Sequence, residues 1–189
     1  MVHKTVATAA LLLAAVSPAG AMTIVDLVGK VNASTNGTNA VSILLPKGKY
    51  EVRFVEGQFT AHNRFNGSVS GCNAFGTNCT RGWETNARFY LGANDLDTTN
   101  DFKVGNFTYH ATRELAFAAS SAFSTQFLVP AGGSQVSFYI FDPKISDNVE
   151  GVSLGIAAIP EARTWAMLIV GFGLVGAAMR RRRGAVAAA

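Results

Sequence analysis

Residues 135–156 read Gln-Val-Ser-Phe-Tyr-Ile-Phe-Asp-Pro-Lys-Ile-Ser-Asp-Asn-Val-Glu-Gly-Val-Ser-Leu-Gly-Ile. Gln135–Phe141 and Val152–Ile156 are apolar-rich runs that alternate with polar or small residues, the period of a half-buried strand. Between them lies a polar segment that Asp142-Pro143 opens and Gly151 closes, which predicts a turn. Outward from this pair the same pattern recurs at Val41–Leu45, Tyr50–Val55, Ala87–Leu91 and Thr125–Val129. In Tyr50–Val55, Tyr50, Val52 and Phe54 share one face while Glu51 and Arg53 share the other. Turn signals separate these runs: Pro46-Lys47-Gly48, Asn66-Gly67 and Pro130-Ala131-Gly132-Gly133. Only Arg113–Phe123 reads as a helix. Many short strands without a βαβ rhythm predict a mainly β chain, with a jelly-roll or β-sandwich body.

The chain of 189 residues is 49% hydrophobic and 15% charged, which excludes a disordered protein and allows one domain with short targeting segments. Its formal charge of +4 is unevenly placed. Between Met22 and Ile159 there are ten Lys/Arg and eleven Asp/Glu, a net charge of −1. The basic excess sits at the termini, so no basic face offers itself to phosphates, and nucleic acid is excluded as a partner.

Residues 1–21 read as a signal peptide with a signal helix: Lys4 precedes an apolar run from Val6 to Val16, Ser17-Pro18 breaks the helix, and Ala19 and Ala21 are the small residues at a cleavage site. The run is too short to span a bilayer. An apolar first helix of a globular domain, the alternative, would have no polar face. The mature body then covers residues 22–157.

Residues 158–183 form a different kind of segment. Thr164–Met179 carries no charge and is followed by Arg180, Arg181, Arg182 and Arg183. As a helix it is about 24 Å long against a hydrocarbon core of about 30 Å, so it is a short C-terminal transmembrane helix. Trp165 suits one interface, and the arginines snorkel at the other, which the positive-inside bias makes cytoplasmic. Residues 184–189 are then a short cytoplasmic tail. A buried C-terminal helix is the competing reading, and four consecutive arginines argue against it.

Pro160-Glu161, Trp165-Ala166-Met167, Gly171-Phe172-Gly173, Gly176 and the arginine cluster Arg180–Arg183 together resemble the PEP-CTERM sorting signal of the PEPxxWA variety. The resemblance implies that an exosortase is the processing partner, that cleavage falls near Pro160-Glu161, and that an inner-membrane-anchored intermediate precedes delivery to the cell surface. Ala162 stands where the family has a second proline, so the segment is less stiff than Pro-Glu-Pro. In this reading the chain is a substrate and not an enzyme.

Cys72 and Cys79 are the only cysteines, an even pair in an exported chain, and a disulfide between them is expected. A metal reading of the pair lacks CxxC spacing and a histidine pair. The Asn-x-Ser/Thr triplets at Asn32, Asn36, Asn66, Asn78 and Asn106 read as composition.

The stretch from Lys49-Tyr50 through Gly71-Cys72 and Cys79-Thr80-Arg81-Gly82-Trp83, closing with Asp142, Asp147-Asn148 and Gly151–Leu154, looks like the domain often found before this tail. It is more distantly similar to the galactose-binding-like jelly roll of PA-IL-type calcium lectins. That likeness implies a calcium ion as cofactor, held by Asp142, Asp147 and Asn148, with extracellular polysaccharide as the carbohydrate partner. Hard oxygen ligands on one tight loop suit Ca²⁺. An acidic solvated turn is the plainer reading of the same residues. Phe59, Phe65, Trp83 and Tyr109 either stack on sugar rings or fill the core.

The function expected is therefore an exported cell-surface or extracellular-matrix protein of the exopolysaccharide or biofilm kind, with a calcium-dependent carbohydrate-binding module. A purely structural surface protein is the alternative. A secreted hydrolase is the remaining class, and neither paired carboxylates in aromatic surroundings nor a Ser/His/Asp arrangement supports it.

Overall fold

The computed structural model describes residues 21–68, 70–71, 74–75, 81–94, 96–160, 166–176 and 180. Ten strands follow in order: β1 Thr23–Val28, β2 Ala33–Ser34, β3 Val41–Leu45, β4 Gly48–Phe54, β5 His62–Asn63, β6 Trp83–Leu91, β7 Phe102–His110, β8 Ser124–Val129, β9 Ser134–Phe141 and β10 Val149–Ile159. One α-helix, α1 Arg113–Ser121, lies between β7 and β8. The fold is mainly β, as expected.

The strands form one continuous curled sheet with two wings. In one wing β10 lies between β1 and β4, and β4 pairs on with β8. In the other, β9 lies between β3 and β6, and β6 pairs with β7. Short β5 joins them, because His62 and Asn63 pair with Glu150 and Val149 on one side and with Glu84 and Trp83 on the other. Strand β10 thus changes wing at its second residue. Glu150 takes a left-handed φ of 60° at that point. A local kink of this kind is how a strand passes from one wing of a folded sheet to the other.

The core fills the space between the wings. Tyr50, Val52 and Phe54 of β4 share it with Phe127 and Val129, Leu154 and Ile156, and, from the second wing, Phe89, Val104, Phe138 and Ile140. Phe89 is the hub, with ring centroids 4.9 Å from Phe127, 5.4 Å from Phe138 and 4.7 Å from Phe102. The inward face of β4 is thus the one its alternation selects. Full burial of each such side chain is worth about 1.5–3 kcal/mol, an upper figure for a compact unfolded chain.

Helix α1 starts where Thr112 caps it, its hydroxyl accepting from Leu115 N at 3.3 Å. It is two residues shorter than its sequence suggests. It buries only small residues, Ala116 and Ser120. Ser120 fixes it to the sheet by donating to Thr85 O at 2.6 Å and accepting from Asn106 N at 2.9 Å.

The expected turns form. Asn66 and Gly67 both take positive φ, 53° and 77°, and Ser68 N closes the turn on Phe65 O at 2.9 Å. The expected signal helix and Cys72 and Cys79 lie outside the described residues, as do Glu161, Trp165 and Arg181–Arg183. Of the tail, residues 166–176 are helical and all their large apolar side chains except half-buried Leu168 are exposed, Met167 by 71% and Phe172 by 74%. Among the described residues no helix is long and apolar enough to cross a membrane. The body extends two residues beyond its expected limit, since β10 runs through Ile159.

Candidate functional site

The end of the body where β1, β6 and β9 meet the Asp142–Asn148 loop gathers the buried charges. Strand β5 carries His62 inward and hands the chain to Arg64, the first residue of the Asn66-Gly67 turn region. The Arg64 guanidinium reaches across to Asp142, the residue after β9. It donates from Nε to Oδ2 at 2.9 Å and from Nη2 to Oδ1 at 3.2 Å. This two-pronged geometry is the strongest form of an Arg–carboxylate pair. Nη1 also donates to the Tyr109 hydroxyl at 3.1 Å and lies 3.6 Å from Oε2 of Glu84. His62 Nε2 is 3.9 Å from that same oxygen.

His62, Glu84 and Asp142 are each at most 3% exposed, and Arg64 covers them. Burial lowers the His62 pKa to about 4, with repulsion from Arg64 assisting. It raises Glu84 to about 7, against the pull of Arg64. The cluster therefore holds one firm ion pair, Arg64–Asp142, beside two groups driven toward neutrality.

The three residues expected to hold calcium follow separate fates. Both oxygens of Asp142 belong to Arg64, and Oδ1 also accepts from Lys144 N at 3.0 Å, an Asx turn that shapes the loop. Asp147 Oδ2 pairs with Lys144 Nζ at 2.9 Å. Asn148 is fully buried and donates from Nδ2 to Gly29 O at 3.0 Å, tying the loop to β1. Glu150 pairs with Arg113 at 2.9 Å. Asp147 Oδ1 and Asn148 Oδ1 are buried and without hydrogen-bond partners among the described residues.

Calcium takes six to eight oxygens. The loop as folded leaves two side-chain oxygens uncommitted, and no group of three or more His, Cys, Asp or Glu among the described residues is placed to hold a metal. These residues do not fit a calcium shell while Asp142 stays on Arg64.

The aromatic residues form a rim around the cluster. Phe65, Trp83 and Tyr109 are half-buried and outside the core. Each ring carries an arginine of the chain itself: Arg64 lies 5.9 Å from the Tyr109 centroid, Arg81 5.9 Å from Phe65, and Arg113 5.4 Å from Trp83. Cation–π stacking of this kind occupies ring surface that a sugar would use.

Asp142, Asp147 and Asn148 are legible in the sequence as candidate site residues; Arg64, His62 and Glu84 are not. A signal existed for Glu84: it opens the run Trp83–Leu91, in which Glu84, Asn86 and Arg88 alternate with Thr85, Ala87 and Phe89. A charged residue next to an apolar alternation reads as solvent-facing, yet Glu84 and Asn86 are buried here, Glu84 beside Arg64.

No protein-family model matches the chain, and no curated protein or solved structure matches it either.

Proposed function

We propose that this is an exported, non-enzymatic protein of the cell surface or extracellular matrix, sorted through a membrane-held intermediate by an exosortase. Its body is of the sandwich or jelly-roll kind. The observation that carries the reading is where the fold stops relative to the two processing motifs. Strand pairing begins at Thr23, just after Ala21, and ends at Ile159, just before Pro160. Ala21 and Pro160 are both exposed. Cleavage at either motif removes nothing from the core. A non-catalytic role is supported by the sealing of His62 and Glu84 behind Arg64, which keeps these two acid–base groups from a substrate.

The test is production in an exosortase-bearing bacterium, followed by fractionation and mass spectrometry of the chain ends. The expected product reaches the surface with new termini beside Ala21 and near Pro160-Glu161, and replacing Arg180–Arg183 with serine blocks that delivery. Unchanged surface delivery of the serine variant would overturn the sorting reading.

A second reading, calcium-dependent carbohydrate binding at the Asp142–Asn148 loop, is favoured by one observation: the two uncommitted buried oxygens on Asp147 and Asn148. It requires Asp142 to exchange Arg64 for a cation. Glycan-array binding that disappears with chelator would support it, and binding indifferent to chelator, or none, would remove it.

A further inference from the structure

The register of the first wing fixes where both ends of the body lie. Thr23 pairs with Ile156, so the chain enters and leaves the body at the same end. There Ile159 stands opposite Lys49, and Lys49 opposite Leu128, one row across three strands. Cross-strand partners point to the same side of a sheet, so these three side chains form a surface band about 10 Å wide. The turn Pro46-Lys47 and the turn at Pro130–Gly133 flank it, both exposed. Leu128 is 69% exposed, and Leu44, on β3 of the other wing just before the Pro46-Lys47 turn, is 80% exposed. Met22 lies flat on the outer face nearby: a Cβ on Gly155 would meet its sulfur at 2.5 Å. Ile24 beside it is 50% exposed. Leucine, isoleucine and methionine interspersed with Lys47 and Lys49 match a bilayer interface, where apolar groups enter the acyl boundary and ammonium groups reach the headgroups.

We propose that this exit end is a lipid-contacting surface, which seats the membrane-held protein with its Arg64–Asp142 end pointing away from the bilayer. The proposal rests on the membrane reading of the tail. Two lengths carry it. Between Ile159 and Trp165 the chain spans at most about 20 Å, which tethers the exit end close to the interface. Strand β10 runs eleven residues from Val149 to Ile159, so the cluster end lies roughly 33 Å further out. The tether reaches the exit end directly and the cluster end only by folding the body over.

The two native tryptophans report the two predictions separately. The full chain is reconstituted in vesicles containing anionic lipid, with nitroxide on headgroups or acyl chains as the quencher. Trp165 is read in a Trp83→Phe variant and Trp83 in a Trp165→Phe variant. The exit end is read by Leu128→Trp, and again by Leu44→Trp, with both native tryptophans replaced by phenylalanine. The expected result is strong quenching of Trp165, clear quenching of both exit-end reporters by headgroup nitroxide, and none of Trp83. Quenching of Trp165 with exit-end reporters as unquenched as Trp83, or with Trp83 itself quenched, overturns the seating and leaves the tail reading standing. An unquenched Trp165 overturns both.

Discussion

His62 Nε2 lies 3.9 Å from Glu84 Oε2, and neither atom has a hydrogen-bond partner among the described residues. Burial drives His62 down from 6.5 to about 4 and Glu84 up from 4.5 to about 7. Near pH 5.5 the unfolded chain carries an ionised Glu84 and a protonated His62. The folded chain instead keeps the proton on the carboxyl and leaves the imidazole neutral. The two shifts act on stability with opposite sign. A lowered histidine gives stability that is lost as pH falls from about 6.5 to 4, whereas a raised carboxyl gives stability that is lost as pH rises from about 4.5 to 7. In the native protein the two slopes largely offset between those limits. The Glu84→Gln variant, left with His62 alone, is expected to lose up to roughly 3 kcal/mol on acidification from pH 6.5 to 4. A His62→Asn variant, left with Glu84 alone, is expected to lose stability as pH rises toward 7. Urea midpoints across pH 4–7.5 check both, and parallel profiles for the two variants would contradict the exchange.

Gly151 is the second point where the fold is tightly determined. A Cβ there would sit 2.0 Å from Leu27 O, a backbone atom that cannot move without parting β1 from β10. Gly151→Ala is expected to destabilise by at least about 3 kcal/mol, at the upper end of overpacking costs. Glu150 next to it bears a positive φ that costs a non-glycine residue about 1–2 kcal/mol. Glu150→Gly relieves that strain and gives up only a partly exposed pair with Arg113. Its denaturation midpoint should equal or exceed that of the native protein. A large loss in Glu150→Gly with none in Gly151→Ala would reverse the assignment of strain.

These two neighbours also show what could be read in advance. The six strands taken from the sequence all form: Val52 and Phe138 are core where the pattern puts them, while Leu44 of β3 lies outward and Ser137 and Tyr139 of β9 are buried beside Phe138. Strand β1 was not legible: Thr23–Val28 has aspartate at its centre, and Asp26 is accommodated by a hydrogen bond from the Ser153 hydroxyl on the paired strand. Strand β7 was hidden by Gly105 and Asn106 in its middle. Gly105 is required there, since a side chain would strike Phe54 and Thr85 O. Both are tertiary reasons with no local trace. The polar triplets at Asn32 and Asn36 turned out to be loop chemistry: Asn32 Oδ1 accepts from Val28 N at 2.9 Å and Asn36 Oδ1 from Thr38 N at 3.3 Å. The loop after β9 is legible as a loop, but its charge partner is not, because Arg64 is 78 residues from Asp142.

The cysteine pair gives a prediction that rests on the sequence, Cys72 and Cys79 lying outside the described residues. Exported, unreduced protein should carry a Cys72–Cys79 bridge and no free thiol. Closing so short a loop stabilises by about 2.5 kcal/mol on the chain-entropy account. Intact-mass measurement before and after alkylation decides it: uptake of alkylating reagent without prior reduction would refute the bridge.

Asp142 decides between the two functional readings. Its carboxylate is 2% exposed and bound at both oxygens by Arg64. Removing the cation leaves a buried charge unpaired, for which the usual cost is about 3–5 kcal/mol. Arg64→Met should therefore destabilise by that order, and Asp142→Asn should destabilise too, since its one amide oxygen can stand in for Oδ1 toward Arg64 Nη2 and Lys144 N but not for Oδ2 toward Arg64 Nε. Calcium enters as a competitor for the same oxygens. A cation that bound only the folded state would raise stability by about 2.7 kcal/mol at a hundredfold excess over its dissociation constant. With Arg64 in place, we expect the melting midpoint of the mature protein to be the same in chelator and in millimolar calcium. The Arg64→Met variant frees Asp142 to join Asp147 Oδ1 and Asn148 Oδ1, and calcium should then recover part of the lost stability. A calcium-dependent rise already present in the native protein would mean that Asp142 leaves Arg64 for the ion, and the loop would pass to the carbohydrate-binding reading.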